Sequence, residues 1–274
     1  MRGFVKYFVQ QPIALFQSKL RFWLSKSPPV LVFTMAKVGS LSIYNSLKTQ
    51  TSIPCFHIHT LNAEEDNLNI KECLSKGLYP DSRSPISFIL NNMVVPQKPI
   101  KIISLFRDPI ERNISAFFDA FELYVGIPPH EHKGDIQFLI DCYFNKLPHN
   151  YACNWFDNQF KRDTGIDVYH YNFDSAKGFK ILKKENIEVL IMNSAIPNDE
   201  KEQLIKDFLS LNHFELNNTN VTSSKLSGKL YESFKTSIQF EKEHLDLLLN
   251  SAYAQHFLSK DEINASYLKW LKDD

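Results

Sequence analysis

The chain has 274 residues, of which 43% are hydrophobic and 23% charged, and its 31 basic and 31 acidic residues cancel to a formal net charge of zero. This composition is typical of a globular protein and excludes a disordered chain or a collagen. A neutral chain also argues against a nucleic-acid binder, because such domains are usually strongly basic. The four cysteines lack C-x-x-C spacing, which predicts buried free thiols rather than a disulfide framework or a zinc site.

The N-terminal segment, residues 1–28, is basic and amphipathic. No acidic residue precedes Glu64, and Pro12 predicts the start of a helix. The apolar face of that helix consists of Ile13, Phe16, Leu20, Trp23 and Leu24. Charged residues interrupt the segment too often for a membrane span, and it has no signal-peptide cleavage pattern. Two interpretations stay open, in which the helix docks on the body of the protein or makes peripheral contact with an anionic membrane.

The rest of the chain, residues 29–274, predicts one α/β domain. Helical segments alternate with apolar runs that predict strands, at 30–33, 53–59, 100–106, 166–171 and 189–192. This alternation predicts a P-loop-like three-layer fold, in which helices flank a central parallel sheet. Ligands of such folds bind beyond the carboxyl ends of the strands. The most motif-like segments of the chain follow the first and third of these strands.

The segment after the first strand predicts an anion-binding loop, which reads Lys37-Val38-Gly39-Ser40-Leu41-Ser42. Gly39 permits a sharp turn, and backbone amides at the start of the following helix can bind a phosphate. The Walker A motif of ATPases and kinases places its lysine after a second glycine, whereas here the lysine precedes the only glycine. An ordinary ATP-dependent enzyme is therefore disfavoured. Taken alone, the segment could also be a capped helix start with an unrelated lysine.

The segment after the third strand begins with Arg107-Asp108-Pro109, in which the proline fits the first turn of a helix. Arg107 lies at the strand end, and Ser115 lies two turns into the helix. An arginine and a hydroxyl in these places can hold a phosphate dianion through charge-assisted hydrogen bonds. The alternative is an N-capped helix with a surface arginine–glutamate pair.

Together the two segments resemble those of the PAPS-dependent sulfotransferases, where PAPS is 3'-phosphoadenosine 5'-phosphosulfate. Residues 107–117 match that superfamily's 3'-phosphate motif, R-[DN]-P-x-x-R-x-x-S-x-[FY], in full. The resemblance extends from about residue 30 to the C-terminus and is closest to the bacterial capsular-polysaccharide and carbohydrate sulfotransferase branch. Leu41 departs from it, because many members have a hydroxyl residue there.

The resemblance implies transfer of a sulfuryl group from PAPS to a hydroxyl of a saccharide or capsular polysaccharide. It implies that Lys37 is the catalytic cation beside the phosphosulfate. The implied cofactor contacts are Lys37, Val38, Gly39, Ser40, Leu41, Ser42, Arg107 and Ser115, with Lys225 from a late loop. Trp155 is expected either to stack on the nucleotide or to be buried in a helix. The chemistry requires no metal.

Sulfuryl transfer needs a base for the proton of the acceptor hydroxyl. The second predicted strand ends with His57 and His59, which strand alternation places on one face. An imidazole titrates near neutral pH, and His59 lies closer to the ligand end, so His59 is the expected base and His57 the second candidate. Glu64 and Glu65 are carboxylate alternatives.

Two other functions stay open, a non-catalytic nucleotide-binding partner in polysaccharide assembly and another P-loop transferase such as a small-molecule kinase. Neither a signal sequence nor a membrane span is predicted. The expected location is therefore the cytoplasm or the inner face of a membrane.

Overall fold

A computed structural model describes residues 5–75, 77–80, 83–217 and 228–272. At its centre is a five-stranded sheet with the order β2-β1-β3-β5-β4. The strands are β1 (Val30–Phe33), β2 (Cys55–Ile58), β3 (Ile100–Phe106), β4 (Phe179–Lys184) and β5 (Ile187–Asn193). All neighbours pair in parallel except β4, which lies antiparallel to β5 at the edge. The predicted α/β class is confirmed, with a mostly parallel sheet flanked by helices.

Helices fill the connections between the strands and form the C-terminal part of the described chain. The α-helices are Gln11–Leu24, Ser40–Gln50, Ala63–Ser75, Ile86–Ile89, Pro109–Asp119, Phe121–Val125, Ile136–Lys146, Tyr151–Trp155, Arg162–Thr164, Asn198–Leu209, Gly228–Ser237, Lys242–Leu249, Ala252–Phe257 and Lys260–Trp270. Short π-helical segments lie at Lys6–Gln10, Leu90–Val94 and Phe156–Lys161, and 3-10 turns at Pro129–Glu131 and Val168–His170. The longer helices cover the sheet and bury its apolar strands.

Two details of the sheet differ from the prediction. The strand predicted at 166–171 is wrong, because the Asp167 side chain accepts a hydrogen bond from the Tyr169 amide and caps a single 3-10 turn there. The edge strand β4 has the sequence FKILKK and buries only Leu182, so its pattern lacks the continuous apolar run that identified the other strands. Lysines on an edge strand are a common protection against pairing with another chain.

The order of the strands defines where a ligand can bind. β1 lies between β2 and β3, so the chain reverses its direction of travel across the sheet after β2. Ligands of open α/β sheets bind in the crevice at such a switch point, outside the carboxyl ends of the strands. The segments that follow β1 and β3 flank this crevice. They are the two segments, residues 37–42 and 107–117, in which the sequence analysis found the anion-binding motifs.

The N-terminal helix (Gln11–Leu24) docks on the domain through the face opposite to the predicted apolar face. Its buried residues include Gln11, Ser18 and Phe22, and the Phe22 ring packs edge-on against Phe88 at a centroid distance of 5.3 Å. The interpretation in which the helix docks on the body of the protein is therefore confirmed, but the predicted apolar face is left exposed. Across the described ranges, the helices are too short or too polar to cross a bilayer. Cys55, Cys142 and Cys153 are free and buried, as predicted, whereas Cys73 is only partly buried.

Candidate anion-binding site

The loop after β1 forms a tight turn that opens the helix Ser40–Gln50. Gly39 has a φ of 82° and Lys37 a φ of 72°, both in the left-handed region. Glycine adopts this conformation freely, but a lysine there stores strain of about 1–3 kcal/mol unless its surroundings hold it. Arg107 Nη1 donates to the Lys37 carbonyl at 3.1 Å, and Arg112 Nε donates to the Ala36 carbonyl at 3.0 Å. Two arginines from the segment after β3 therefore hold the loop in place.

Arg107 is itself fixed at the end of β3. The buried hydroxyl of Tyr253 accepts from the Arg107 amide at 3.0 Å and donates to its carbonyl at 2.7 Å. Asp108 caps the next helix by accepting from the Ile110 and Glu111 amides, each at 2.9 Å. The predicted helix start is confirmed, as is the predicted arginine–glutamate pair, since Arg107 lies 3.5 Å from the Glu111 carboxylate.

A cleft of about 510 Å³ opens beside this loop at the carboxyl end of the sheet. Among the predicted contact residues, Val38, Gly39 and Arg107 line it. Lys269 and Trp270 of the C-terminal helix (Lys260–Trp270) close its far side. Clefts of this size are in the range of small-ligand sites.

The sequence analysis missed two cations, Lys269, which lines the cleft, and Lys235, which contacts the Glu111 carboxylate of its lining. Lys235 and Lys269 lie 2.9 Å and 2.5 Å from the Glu111 carboxylate, beside Arg107. Burial by itself raises the pKa of Glu111, but hydrogen bonds from Lys269 and Lys235 outweigh it and hold that pKa below its usual value. Both lysines belong to C-terminal helices, and no local motif marks them.

Lys37 extends from the loop towards the end of the helix Pro109–Asp119. Its Nζ lies 2.7 Å from a carboxylate oxygen of Asp119, whose side chain is about half exposed. Ion pairs as exposed as this one contribute about 0–1 kcal/mol. An incoming anion can therefore compete with Asp119 for the Lys37 ammonium at little cost.

Three other predicted contact residues, Leu41, Ser42 and Ser115, do not line the cleft. Ser42 donates its hydroxyl hydrogen to the Gly39 carbonyl at 3.2 Å, and Leu41 is exposed. Ser115 is buried in its helix and does not line the cleft. Lys225 lies outside the described residues.

His57 and His59 lie side by side next to the loop, with ring centroids 4.8 Å apart, which confirms the predicted shared face. The hydroxyl of Ser40 and Nε2 of His57 form a hydrogen bond of 2.8 Å. His59 Nδ1 lies 2.6 Å from the Thr34 carbonyl. A carbonyl only accepts, so Nδ1 carries the hydrogen and the lone pair of the neutral ring is on Nε2.

The environment keeps both imidazoles neutral. Burial lowers the pKa of His57 well below its usual value, and the neighbouring His59 lowers it further. Burial also lowers the pKa of His59, with smaller contributions from the charges of Arg112 and Lys37, although the bond to Thr34 opposes this. A neutral ring with a lone pair on Nε2 can accept a proton. Neither histidine lines the cleft, so they lie outside the space beside Arg107.

The sequence analysis named Glu64 and Glu65 as alternative bases, and the structure places a third carboxylate, Asp66, near His59. Glu64 is exposed, and Glu65 is held by Arg162 at 3.0 Å. Asp66 was missed, although its charge raises the pKa of His59 and its Oδ2 is buried without a hydrogen bond from the described residues. Trp155 is fully buried and donates from Nε1 to the His59 carbonyl at 3.1 Å. Its role is therefore to position the histidine backbone from the core.

Arg112 is a further residue that the sequence analysis did not single out. Its side chain is buried, and its partners among the described residues are neutral groups, namely the Ala36 carbonyl, the Asn113 amide oxygen and the Tyr151 ring. Burying a charge is costly unless an opposite charge compensates it. A cation in this environment beside the loop favours an anionic ligand.

Burial of histidines makes the stability of the protein depend on pH. The pKa is lowered for His57, His59, His149, His244 and His256, and for His149 it falls to about 4. Below about pH 6.5 the unfolded chain binds protons that the folded chain does not, so the free energy of unfolding should fall as pH decreases. Above that pH the full contribution is present. Urea unfolding at about pH 7.5 and about pH 5.5 measures this difference.

The matched variants for this measurement are His149→Gln and His130→Gln. The first should reduce the pH dependence, because it removes a histidine with a lowered pKa. The second should leave it unchanged, because the His130 side chain is 67% exposed. A stability that is equal at both pH values would contradict the prediction.

The fold and the site define an α/β protein with a glycine turn, a cleft and several cations at a topological switch point of its sheet. Residues 130–259 match the model of the NKWYS family, described as "Putative capsular polysaccharide synthesis protein". The matched part is less than half of the chain and follows both the loop and Arg107. It includes Trp155 and Tyr253, which position His59 and Arg107. No curated protein and no solved structure matches this chain.

The family match links the chain to capsular polysaccharide synthesis. Its description names a process and leaves the reaction open. The chemistry has to be inferred from the site itself.

Proposed function

We propose that this protein is a sulfotransferase that moves a sulfuryl group from PAPS to a hydroxyl group of a capsular saccharide. The observation that carries the proposal is the contact between Arg107 Nη1 and the Lys37 carbonyl, at 3.1 Å. It joins the two segments that resemble the 5'-phosphosulfate loop and the 3'-phosphate motif of the sulfotransferases. A nucleotide with phosphates at both positions needs two anion sites held at a fixed separation.

The cleft supports a ligand of this kind. Its volume of about 510 Å³ suits a nucleotide. Arg107 and Lys269 supply positive charge in its lining, beside the carboxyl groups of Asp108, Glu111 and Glu262, and Lys235 adds a third cation at Glu111. Arg112 adds a buried cation behind the loop. Arginine binds phosphate through two parallel hydrogen bonds, so Arg107 suits the 3'-phosphate.

The residues around the loop suit in-line transfer to a hydroxyl group. PAPS supplies the sulfuryl group and a phosphate leaving group. The acceptor oxygen bonds to sulfur as the sulfur–oxygen bond to the phosphate breaks, and the acceptor proton passes to His59 Nε2. Lys37 neutralises negative charge on the leaving group once its ammonium exchanges Asp119 for the ligand. The product retains both phosphates as 3'-phosphoadenosine 5'-phosphate.

A thermal-shift series tests the nucleotide. We expect 3'-phosphoadenosine 5'-phosphate to stabilise the protein clearly more than ATP with Mg²⁺ or AMP, because only it carries a separate 3'-phosphate for Arg107. At a concentration 100 times its dissociation constant, a ligand stabilises the folded state by about 2.7 kcal/mol.

The same series separates the alternatives. An equal shift with ATP and Mg²⁺ would favour a small-molecule kinase, and no shift with any nucleotide would contradict the proposal. Stabilisation by 3'-phosphoadenosine 5'-phosphate without turnover on any saccharide would favour a non-catalytic nucleotide-binding partner.

A further inference from the structure

The N-terminal helix presents an apolar face to solvent. The exposed fractions are 55% for Ile13, 65% for Phe16, 46% for Leu20, 61% for Trp23 and 76% for Leu24. These residues recur at intervals of three and four, so they form one strip along the helix. At 1.5 Å per residue the strip is about 17 Å long. Clustered exposed apolar side chains of this size mark a contact surface.

The strip is held outward by the contacts on the other side of the helix. Phe22 packs against Phe88, and Gln11 Nε2 donates to the Pro80 carbonyl at 3.0 Å. Arg21 Nη1 donates to the Lys48 carbonyl at 2.7 Å. Turning the strip inward would break all three contacts, so the exposed face belongs to the folded domain.

Positive charge borders the strip. No acidic residue precedes Glu64 in the chain, and the exposed Lys26 follows directly after the strip. A second cleft, of about 470 Å³, adjoins the strip and is lined by Phe16, Lys19 and Arg83. An apolar strip with a cationic border complements the acyl chains and phosphate headgroups of an anionic bilayer.

We propose that this strip, residues 13–24, rests on the surface of an anionic lipid bilayer. The apolar side chains enter the headgroup and acyl boundary, where Trp23 has the amphipathic ring favoured at that depth. The cations at the border contact the headgroups. A second copy of the chain is a poorer occupant, because pairing two strips would bring two cationic borders together.

Vesicle co-sedimentation of the full chain tests the proposal. We expect binding to vesicles of phosphatidylcholine with phosphatidylserine, weaker binding to phosphatidylcholine alone, and loss of binding as salt increases. The double variant Phe16→Glu/Trp23→Glu should lower the partition coefficient at least about tenfold, because it removes two exposed apolar side chains from the contact.

The matched control is Leu247→Glu/Leu268→Glu, which places the same two charges at leucines that are 61% and 88% exposed on two other helices, and it should bind vesicles like the wild type. The proposal is overturned if the double variant binds as well as the wild type, or if the wild type binds neither vesicle. Light scattering tests whether a second copy of the chain occupies the strip instead. If the wild type forms a dimer but does not bind vesicles, and the double variant is a monomer, the strip is a dimer interface. The nucleotide thermal shift of the double variant should match the wild type, so this test is independent of the proposed reaction.

Discussion

Replacing Arg107 with alanine is expected to weaken binding of 3'-phosphoadenosine 5'-phosphate strongly. The guanidinium lies at the cleft with its backbone fixed by Tyr253, so a phosphate held there would lose its main partner. Truncating one partner of a hydrogen-bonded charge pair in an interface costs about 2–5 kcal/mol, which is about 30-fold to several thousandfold in dissociation constant. Isothermal titration calorimetry measures the change.

Two further variants test whether the loss of affinity is specific to the guanidinium of Arg107. Arg107→Lys keeps the positive charge but loses the planar fork, so its affinity should fall between those of the wild type and Arg107→Ala. Lys183→Ala removes a cation at the edge strand β4, where it pairs with Glu188 at the amino end of β5, and should bind like the wild type. Unchanged affinity of Arg107→Ala, with a melting temperature close to that of the wild type, would remove the 3'-phosphate site from this cleft.

Replacing His59 with alanine is expected to lower turnover on a saccharide acceptor by about 10²–10⁴-fold, the usual contribution of a general base. The nucleotide affinity should stay close to that of the wild type, because His59 does not line the cleft beside Arg107. The bond from Nδ1 to the Thr34 carbonyl leaves Nε2 as the acceptor nitrogen, which is the state that a base requires. Initial rates with labelled PAPS measure turnover, and calorimetry measures binding.

The pH profile of the same reaction supplies a second test. Burial lowers the pKa of His59, so the neutral base is present at lower pH than for an ordinary histidine. The wild-type rate should rise with pH on a limb below about pH 6.5 and be level above it, and His59→Ala should lack that limb. His57→Ala is the companion variant. If it loses turnover while His59→Ala keeps it, the Ser40–His57 pair would contain the base instead.

Much of the site could be predicted because its causes are local. A run of apolar residues predicts a buried strand, as at β1 and β3. Gly39, shortly after β1, predicts a tight turn into the next helix, and Lys37 lies in that turn. Asp108 and Pro109 mark a helix cap whatever surrounds them. Strand alternation by itself places His57 and His59 on one face, and the structure confirms it.

Other features depended on contacts between distant parts of the chain. Lys235 and Lys269 reach Glu111 only after the C-terminal helices pack beside the helix Pro109–Asp119. Arg112 lies on a helix, where periodicity predicts burial but cannot predict that the loop carbonyl of Ala36 lies opposite. Asp66 approaches His59 for the same reason. The local sequence does not predict these contacts, because their free energy comes from packing between helices and strands that are distant in the chain.

The N-terminal helix has both kinds of feature, some determined by its sequence and others by tertiary structure. Its amphipathic pattern determined that a helix with an apolar strip forms, and its composition determined the positive charge around it. The direction in which that strip faces was decided only by tertiary structure. Phe22, Gln11 and Arg21 find partners on the domain, and the helix is rigid, so their burial turns Phe16 and Trp23 towards solvent.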